Sequence, residues 1–481
     1  MKTTLHITFA LTLGLLALMG TLTLIKLPSA HASPNGSTRY VAISGNNLSN
    51  NCANMSTPCR TAQHAVDMAA SGDEILIATG VYTDVSVRPR SDVTVTGVVT
   101  QVVYISKTVT IRGGYTTTNW TVPYPVTQPV TLDAQGRGRT IYVTGDISPT
   151  IEGLRITGGK AAGLQGYEYF GSYDAGGGVY VITATATLNH NWIVSNTSSY
   201  VGGGLYLGFS SARLYGNVIS GNVAAAGAGA ATYNSLATLE GNTIVSNTAT
   251  NLGGGLYLFS SNAAIKGNAI VSNTASVLGG GVDVASCNPT FNDNLVSGNT
   301  ANRGGGLYLW YSHSALTNNV IAGNQADTTG SGLWIGGSRP HLVHNTIARN
   351  MGGAGQGVYV TDDGSGSFST VAMTNTILVS HTVGVTATTA SGNQAVLNGV
   401  LWYGNMANYG GLGTITVTNA ITGNPAFAPD GYHLLPGSPA INAGVVSGVA
   451  ADIDGEPRVG APDLGADEYV LRVFLPLVLR Q

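Results

Sequence analysis

The sequence predicts an all-β protein: a single-stranded right-handed parallel β-helix built from 25–26-residue coils, with asparagine ladders and a cap at each end. Three regularities carry this reading. Glycine clusters begin at Gly176, Gly202, Gly227, Gly253, Gly279, Gly304, Gly330 and Gly355, in steps of 25 or 26 residues. Within each unit, apolar residues recur at fixed phases. Leu205, Leu256, Val282, Leu307 and Leu333 share one, and Leu207, Leu258, Val284, Leu309 and Ile335 lie two residues on, the period of a strand with one buried face. Further runs place Leu214, Leu239, Ile265, Phe291, Leu316 and Leu342, then Ile193, Ile219, Ile244, Ile270, Val296, Ile321 and Ile347, toward the same interior. Three short strands per unit make one coil.

The third regularity is two columns of asparagine. One runs Asn191, Asn217, Asn242, Asn268, Asn294, Asn319, Asn345, and the other Asn196, Asn222, Asn247, Asn273, Asn299, Asn324, Asn350. Coils stacked ~4.8 Å apart would bring equivalent amides into hydrogen-bond range. Composition agrees, with 67 glycines, 43% hydrophobic and only 9% charged residues. Helical repeats are excluded because each glycine triplet would cost about 1 kcal/mol per residue in a helix. The glycine lacks a collagen period, and the apolar content is too high for disorder. A net charge of −3 without a basic run gives no footprint for nucleic acid.

In chain order, residues 1–32 read as a signal peptide. Lys2 precedes the apolar run Ile7–Met19, and Ala30-His31-Ala32 makes a small-x-small cleavage site. Through this signal peptide the chain is expected to reach the medium or the cell surface; no later segment is apolar enough to span a membrane, and a monomer is expected. Cys52 and Cys59 are close in sequence, and export favours a disulfide between them, leaving Cys287 alone. Residues 33–78 read as an N-terminal cap, with a short helix from Thr61 to Ala70 closing the open end of the core. The β-helix proper is placed at 79–425, interrupted by a proline-rich excursion at Val122–Gln135 and a protruding loop at Lys160–Ala175. A C-terminal cap is placed at 426–470 and an apolar tail at 471–481.

The pattern GGG[LV]Y followed by [IV]xxN resembles the repeats of pectate-lyase-like parallel β-helices. It is also similar to the GGA[IL] and FxxN repeats of polymorphic outer-membrane adhesins. The segment YHLLPGSPAINAG…ADIDGEPRVGAPDLGADEY resembles the C-terminal part of bacterial β-helix proteins of the choice-of-anchor type. These resemblances imply the fold and export. They do not imply one activity, since the fold hosts lyases, hydrolases and adhesins.

Between the two inward positions of the first strand lies one expected to face solvent: Tyr180, Tyr206, Tyr257, Asp283, Tyr308, Trp334 and Tyr359, with Phe259 and Trp310 two residues on. An exposed aromatic row suits the C–H faces and hydroxyls of sugars, and stacked rings also steady neighbouring strands. The expected partner is therefore a polysaccharide or cell-surface glycan, bound without turnover. The alternatives are a polysaccharide lyase or glycosidase and a structural surface-layer component. Catalysis in this fold class needs paired carboxylates, or an Arg or Lys base with calcium. The candidates are Asp283, Arg303, Asp327 and the adjacent Asp362 and Asp363. His313 is expected to stack over Arg339. No cofactor is expected, although Asp452, Asp454 and Glu456 form a DxDGE pattern suited to calcium; the competing reading is a cap held by Asp454 or Asp463 on Arg458.

Overall fold

A computed structural model describes residues 36–89, 97–167, 173–389 and 392–471. The proposed signal peptide and most of the apolar tail lie outside these residues.

One coil shows how the sequence makes the fold. Leu256–Phe259 forms a strand, the chain turns, Ala264–Lys266 and Ala269–Val271 form two more at an angle, and Thr274–Ala275 adds a short fourth. Every strand then pairs in parallel with its equivalent one coil later: Leu256 with Val282, Ile265 with Phe291, Ile270 with Val296. Such parallel crossovers are right-handed almost without exception. The result is a right-handed parallel β-helix. Leu256, Leu258, Ile265 and Ile270 are fully buried and join one apolar core that runs from Val41 to Trp402.

The corner between the second and third strands needs a left-handed residue. Gly241 and Gly267 supply it at φ 63° and 60°, and Asp293, Asn318, His344 and Asn375 take the same conformation farther on. The first asparagine column follows this corner directly. Asn268 donates from Nδ2 to Asn294 Oδ1 at 3.0 Å and to the Leu239 carbonyl at 2.9 Å, and its own backbone N–H also reaches Asn294 Oδ1. The second column repeats this bonding and passes from Asn350 to His381 and then Asn405.

Two further columns escaped the sequence reading. Ser210, Ser235 and Ser261, then Ser312, Ser338, Ser369 and Asn393, form a third ladder in which a backbone N–H meets the side-chain oxygen of the next coil. Cys287 stands in this column and donates to Leu258 O, which accounts for a lone buried cysteine. The fourth run buries a column of small residues, Ala224, Ala249, Ala275 and Ala301.

At the N-terminal end the helix spans Ala62–Met68 with Thr61 as its N-cap, and Ala62, Ala65 and Val66 close the core. A disulfide of 2.01 Å joins Cys52 to Cys59 beside it. The boundary expected at residue 78 falls inside the stack, because Thr38–Val41 and Glu74–Ala78 are already ladder strands. Likewise Val130–Asp133, placed in the excursion, is a strand paired with Leu154–Thr157. Apolar alternation in VTLD was hidden by the prolines before it.

The C-terminal segment departs most from expectation. It does not cap the end of the solenoid. Leu434, Ala440, Leu464 and Ala466 pack sideways on Val320, Ala348, Ile377 and Leu401, on the outer face of the third strand. This strap is tied by Arg458 to Asn318 at 3.1 Å, by Ala466 to Thr346 at 3.0 Å and by Val445 to Asn375 at 2.8 Å. Arg458 is paired with Glu468 at 3.0 Å, both buried, rather than with Asp454 or Asp463. Asp463 instead accepts from the backbone of Asn442 and Tyr469. The last strand, Thr414–Thr422, is left as an exposed edge. Among the described residues no helix is long and apolar enough to cross a membrane.

Candidate functional site

The outward position of the first strand puts one side chain per coil into a single in-register column. It begins earlier than the repeats suggested, with Tyr104 paired to Tyr142 and Tyr142 to Tyr180. Strand spacing in a sheet is close to ring-stacking distance, so the rings lie face to face. Ring centres are 4.7 Å apart for Tyr142 and Tyr180, 5.4 Å for Tyr180 and Tyr206, and 4.3 Å for Tyr308 and Trp334. Tyr206 and Trp334 lean over the glycine two positions on, Gly208 and Gly336. A Cβ on Gly336 would stand 2.4 Å from the Trp334 ring.

This stacking corrects the expectation that the row faces solvent. Tyr180, Tyr206, Tyr308 and Trp334 are only 0, 2, 6 and 5% exposed. Ring covers ring, and Val201 and Ala226, bridged in parallel just before their glycine clusters, wall the column from the side, making a second apolar core. Upstream the groove is plugged. The guanidinium of fully buried Arg139 sits 4.7 Å from the Tyr180 ring centre and donates to Ala175 O, and Tyr180 donates to Gly166 O, in a short strand that pairs antiparallel with Tyr173–Asp174. Nothing in the local sequence RGRT marked Arg139 for this role.

Downstream the groove opens into a cleft of about 420 Å³, lined by Arg303, Tyr308, Trp310, Trp334, Tyr359, Thr361, Asp362 and Asp363 among others. Seven residues singled out in the sequence therefore meet here. Trp310 and Tyr359 are half-buried and show ring surface, and Arg303 is exposed at the rim. Tyr257 and Phe259 are also half-buried but lie outside the lining.

The two acids are held ionised. Asp362 accepts from the Gly364 N–H and the Thr389 hydroxyl, each at 2.9 Å, and these bonds lower its pKa. Asp363 accepts from the hydroxyls of Ser365 and Tyr311 and from the N–H groups of Ser365 and Ser367, which together hold it well below the usual carboxylate range. Burial raises the phenol of Tyr308, and the Arg303 charge opposes that rise.

Other candidates fall elsewhere. Asp283 pairs in register with Tyr257 and Tyr308 but is buried beneath the surface, 2% exposed, with Oδ2 lacking a hydrogen-bond partner. Burial alone pushes its pKa up to about 8. Asp327 is exposed on the fourth strand and does not line the cleft. His313 does meet Arg339, accepting its backbone N–H at Nδ1. The calcium pattern does not converge. Asp452 is buried, and its oxygens accept from the N–H groups of Asp454, Glu456 and Glu468.

Comparison with known proteins gives a partial family match. Residues 235–394, a third of the chain, match the family described as periplasmic copper-binding protein (NosD). The chain is a parallel β-helix protein. The solved structures that it resembles include pectate lyase Pel9A, at 14% identity and a TM-score of 0.38 over 90% of this chain and 96% of that one. The fold rests on the strand register itself. No curated protein matches the chain.

Proposed function

We propose that the chain is an exported solenoid that binds polysaccharide or another cell-surface glycan, without turning it over, in the cleft beside Arg303. The carrying observation is the juxtaposition of partly open aromatic faces, Trp310 and Tyr359, with the ions Arg303, Asp362 and Asp363 in one cleft. Its volume of about 420 Å³ suits a small-molecule or oligosaccharide subsite. Rings offer the sugar C–H faces a surface, and the ions and Thr361 offer hydroxyls their partners. Export is supported by the signal-like N-terminus, by the disulfide and by the resemblance to a periplasmic family.

Binding is favoured over hydrolysis because a glycosidase needs one carboxyl kept protonated. Both cleft acids are pushed the other way. Copper, named in the family's description, finds no support within 235–394. Among the described residues no three histidine, cysteine or acidic side chains converge there.

The test is to incubate the purified chain with a polysaccharide panel, with and without calcium, and follow retention, new reducing ends and unsaturated products. Retention without product, reduced at least tenfold by Trp310→Ala or Tyr359→Ala, is the expected result. Product formation would overturn the reading.

A surface-layer role is favoured by a separate observation. Residues 382–429 contain no charged side chain or histidine, and the final coil exposes Met406 and Leu412 beside its unpaired edge. Such an edge invites self-association.

A further inference from the structure

The strap carries a cluster that the cleft does not use. His433 lies where three turns of the strap meet. Its Nδ1 is 2.6 Å from Asp430 Oδ2, its Nε2 is 2.6 Å from Asp454 Oδ2, and Asp467 Oδ1 stands 3.9 Å from the same Nε2. The donor atoms of His433, Asp454 and Asp467 all lie within 4.8 Å of one another.

Asp467 is the informative member. Its side chain is 6% exposed, and its Oδ2 is fixed by the Leu434 N–H at 2.7 Å. Among the described residues Oδ1 has no hydrogen-bond donor, and it stands toward His433 Nε2. The carboxylate thus has one oxygen held by the backbone and the other paired only by charge with the imidazole.

We infer that His433, Asp454 and Asp467 bind a divalent transition-metal ion of the zinc class, and that this ion pins the strap to itself. Ligand atoms on a tetrahedral ion with bonds of about 2.0–2.1 Å stand roughly 3.3 Å apart. The two separations from Nε2, 2.6 and 3.9 Å, bracket that value, and the two carboxylate oxygens lie within 4.8 Å of each other, so side-chain shifts alone bring the three donors to it. One imidazole and two carboxylates leave a fourth position for water. Asp430, holding Nδ1, fixes the tautomer and aims Nε2, which is the role of a carboxylate behind a metal-bound histidine. On binding, the proton between Nε2 and Asp454 leaves to solvent. Asp452 and Glu456 take no part, so the site shares only Asp454 with the calcium pattern and differs from it in its ion.

The test is titration of the full chain with Zn2+ by calorimetry and with Co2+ by visible absorption. One ion per chain and an intense four-coordinate Co2+ band are expected, with no competition from equal Ca2+. Asp454→Asn, at a half-exposed position, should abolish the band without unfolding the chain. Asp430→Asn should weaken binding about tenfold while keeping the band, as a positioning residue would. Zn2+ should also protect the strap from protease in the unsubstituted chain but not in Asp454→Asn. Absence of the Co2+ band, or binding unchanged by Asp454→Asn, would overturn the site, whatever the cleft is found to bind.

Discussion

At position 283 the column of rings is broken by a carboxyl. Because desolvation raises the pKa of Asp283 to about 8, the folded chain keeps its proton between pH 4 and pH 8, where the unfolded chain has lost it. Stability is therefore greatest below about pH 4 for this group and falls as pH rises toward 8, by up to about 1.4 kcal/mol per pH unit. The titratable groups beside it are Tyr257, Tyr308 and Cys287, with the Arg303 charge acting on Tyr308. Asp283→Asn should flatten that slope in urea unfolding midpoints measured from pH 5 to 9; an unchanged slope would refute it. The rings divide by burial rather than by type. Trp334→Ala removes a buried ring that is stacked on Tyr308 and should cost about 3–5 kcal/mol. Trp310→Ala, at a half-buried ring, should cost less stability and more glycan retention. The sequence named both tryptophans but could not rank them, since exposure depends on what the neighbouring coils carry.

Ladders show most clearly what was legible. The asparagine columns stood out because an amide recurring every 25 or 26 residues among apolar neighbours fits little but a stack, where each one satisfies the coil before and after it. Asn268→Ala would orphan the Asn242 N–H and the Leu239 carbonyl together, at a cost of about 3 kcal/mol in a denaturant titration. Inward strand positions were equally readable, because period-2 alternation leaves one face for the core. The serine ladder and the alanine column had the same spacing and were readable in principle. Serine and alanine are common everywhere, so Ser235, Ser261, Ala249 and Ala275 signalled little until neighbouring coils were superposed. The strap was not legible as a strap. Leu434, Ala440 and Leu464 announce only that something apolar will be covered, and the contacts that decide the face, Arg458 with Asn318 and Ala466 with Thr346, each span more than a hundred residues.

For the molecule as a whole, the two ends are treated differently. The N-terminal end is closed by the Ala62–Met68 helix, whereas the other ends in an uncharged exposed strand. Thr416→Lys on that strand should leave folding intact and abolish any concentration-dependent association seen by sedimentation, because a charge on an edge blocks pairing. The strap gives the molecule a second kind of cooperativity. Removing the Arg458 guanidinium strands Glu468 and four other acceptors, so Arg458→Ala should cost roughly 3–5 kcal/mol and expose residues 426–470 to protease while the coils persist. A bare solenoid under tension would peel one turn at a time, each giving way at a similar small force. Here the last third of the stack is lashed along its flank, so pulling the chain from its two termini would load the lashing in shear first. A trace of extension against force should then show one tall rupture ahead of a train of low, even steps.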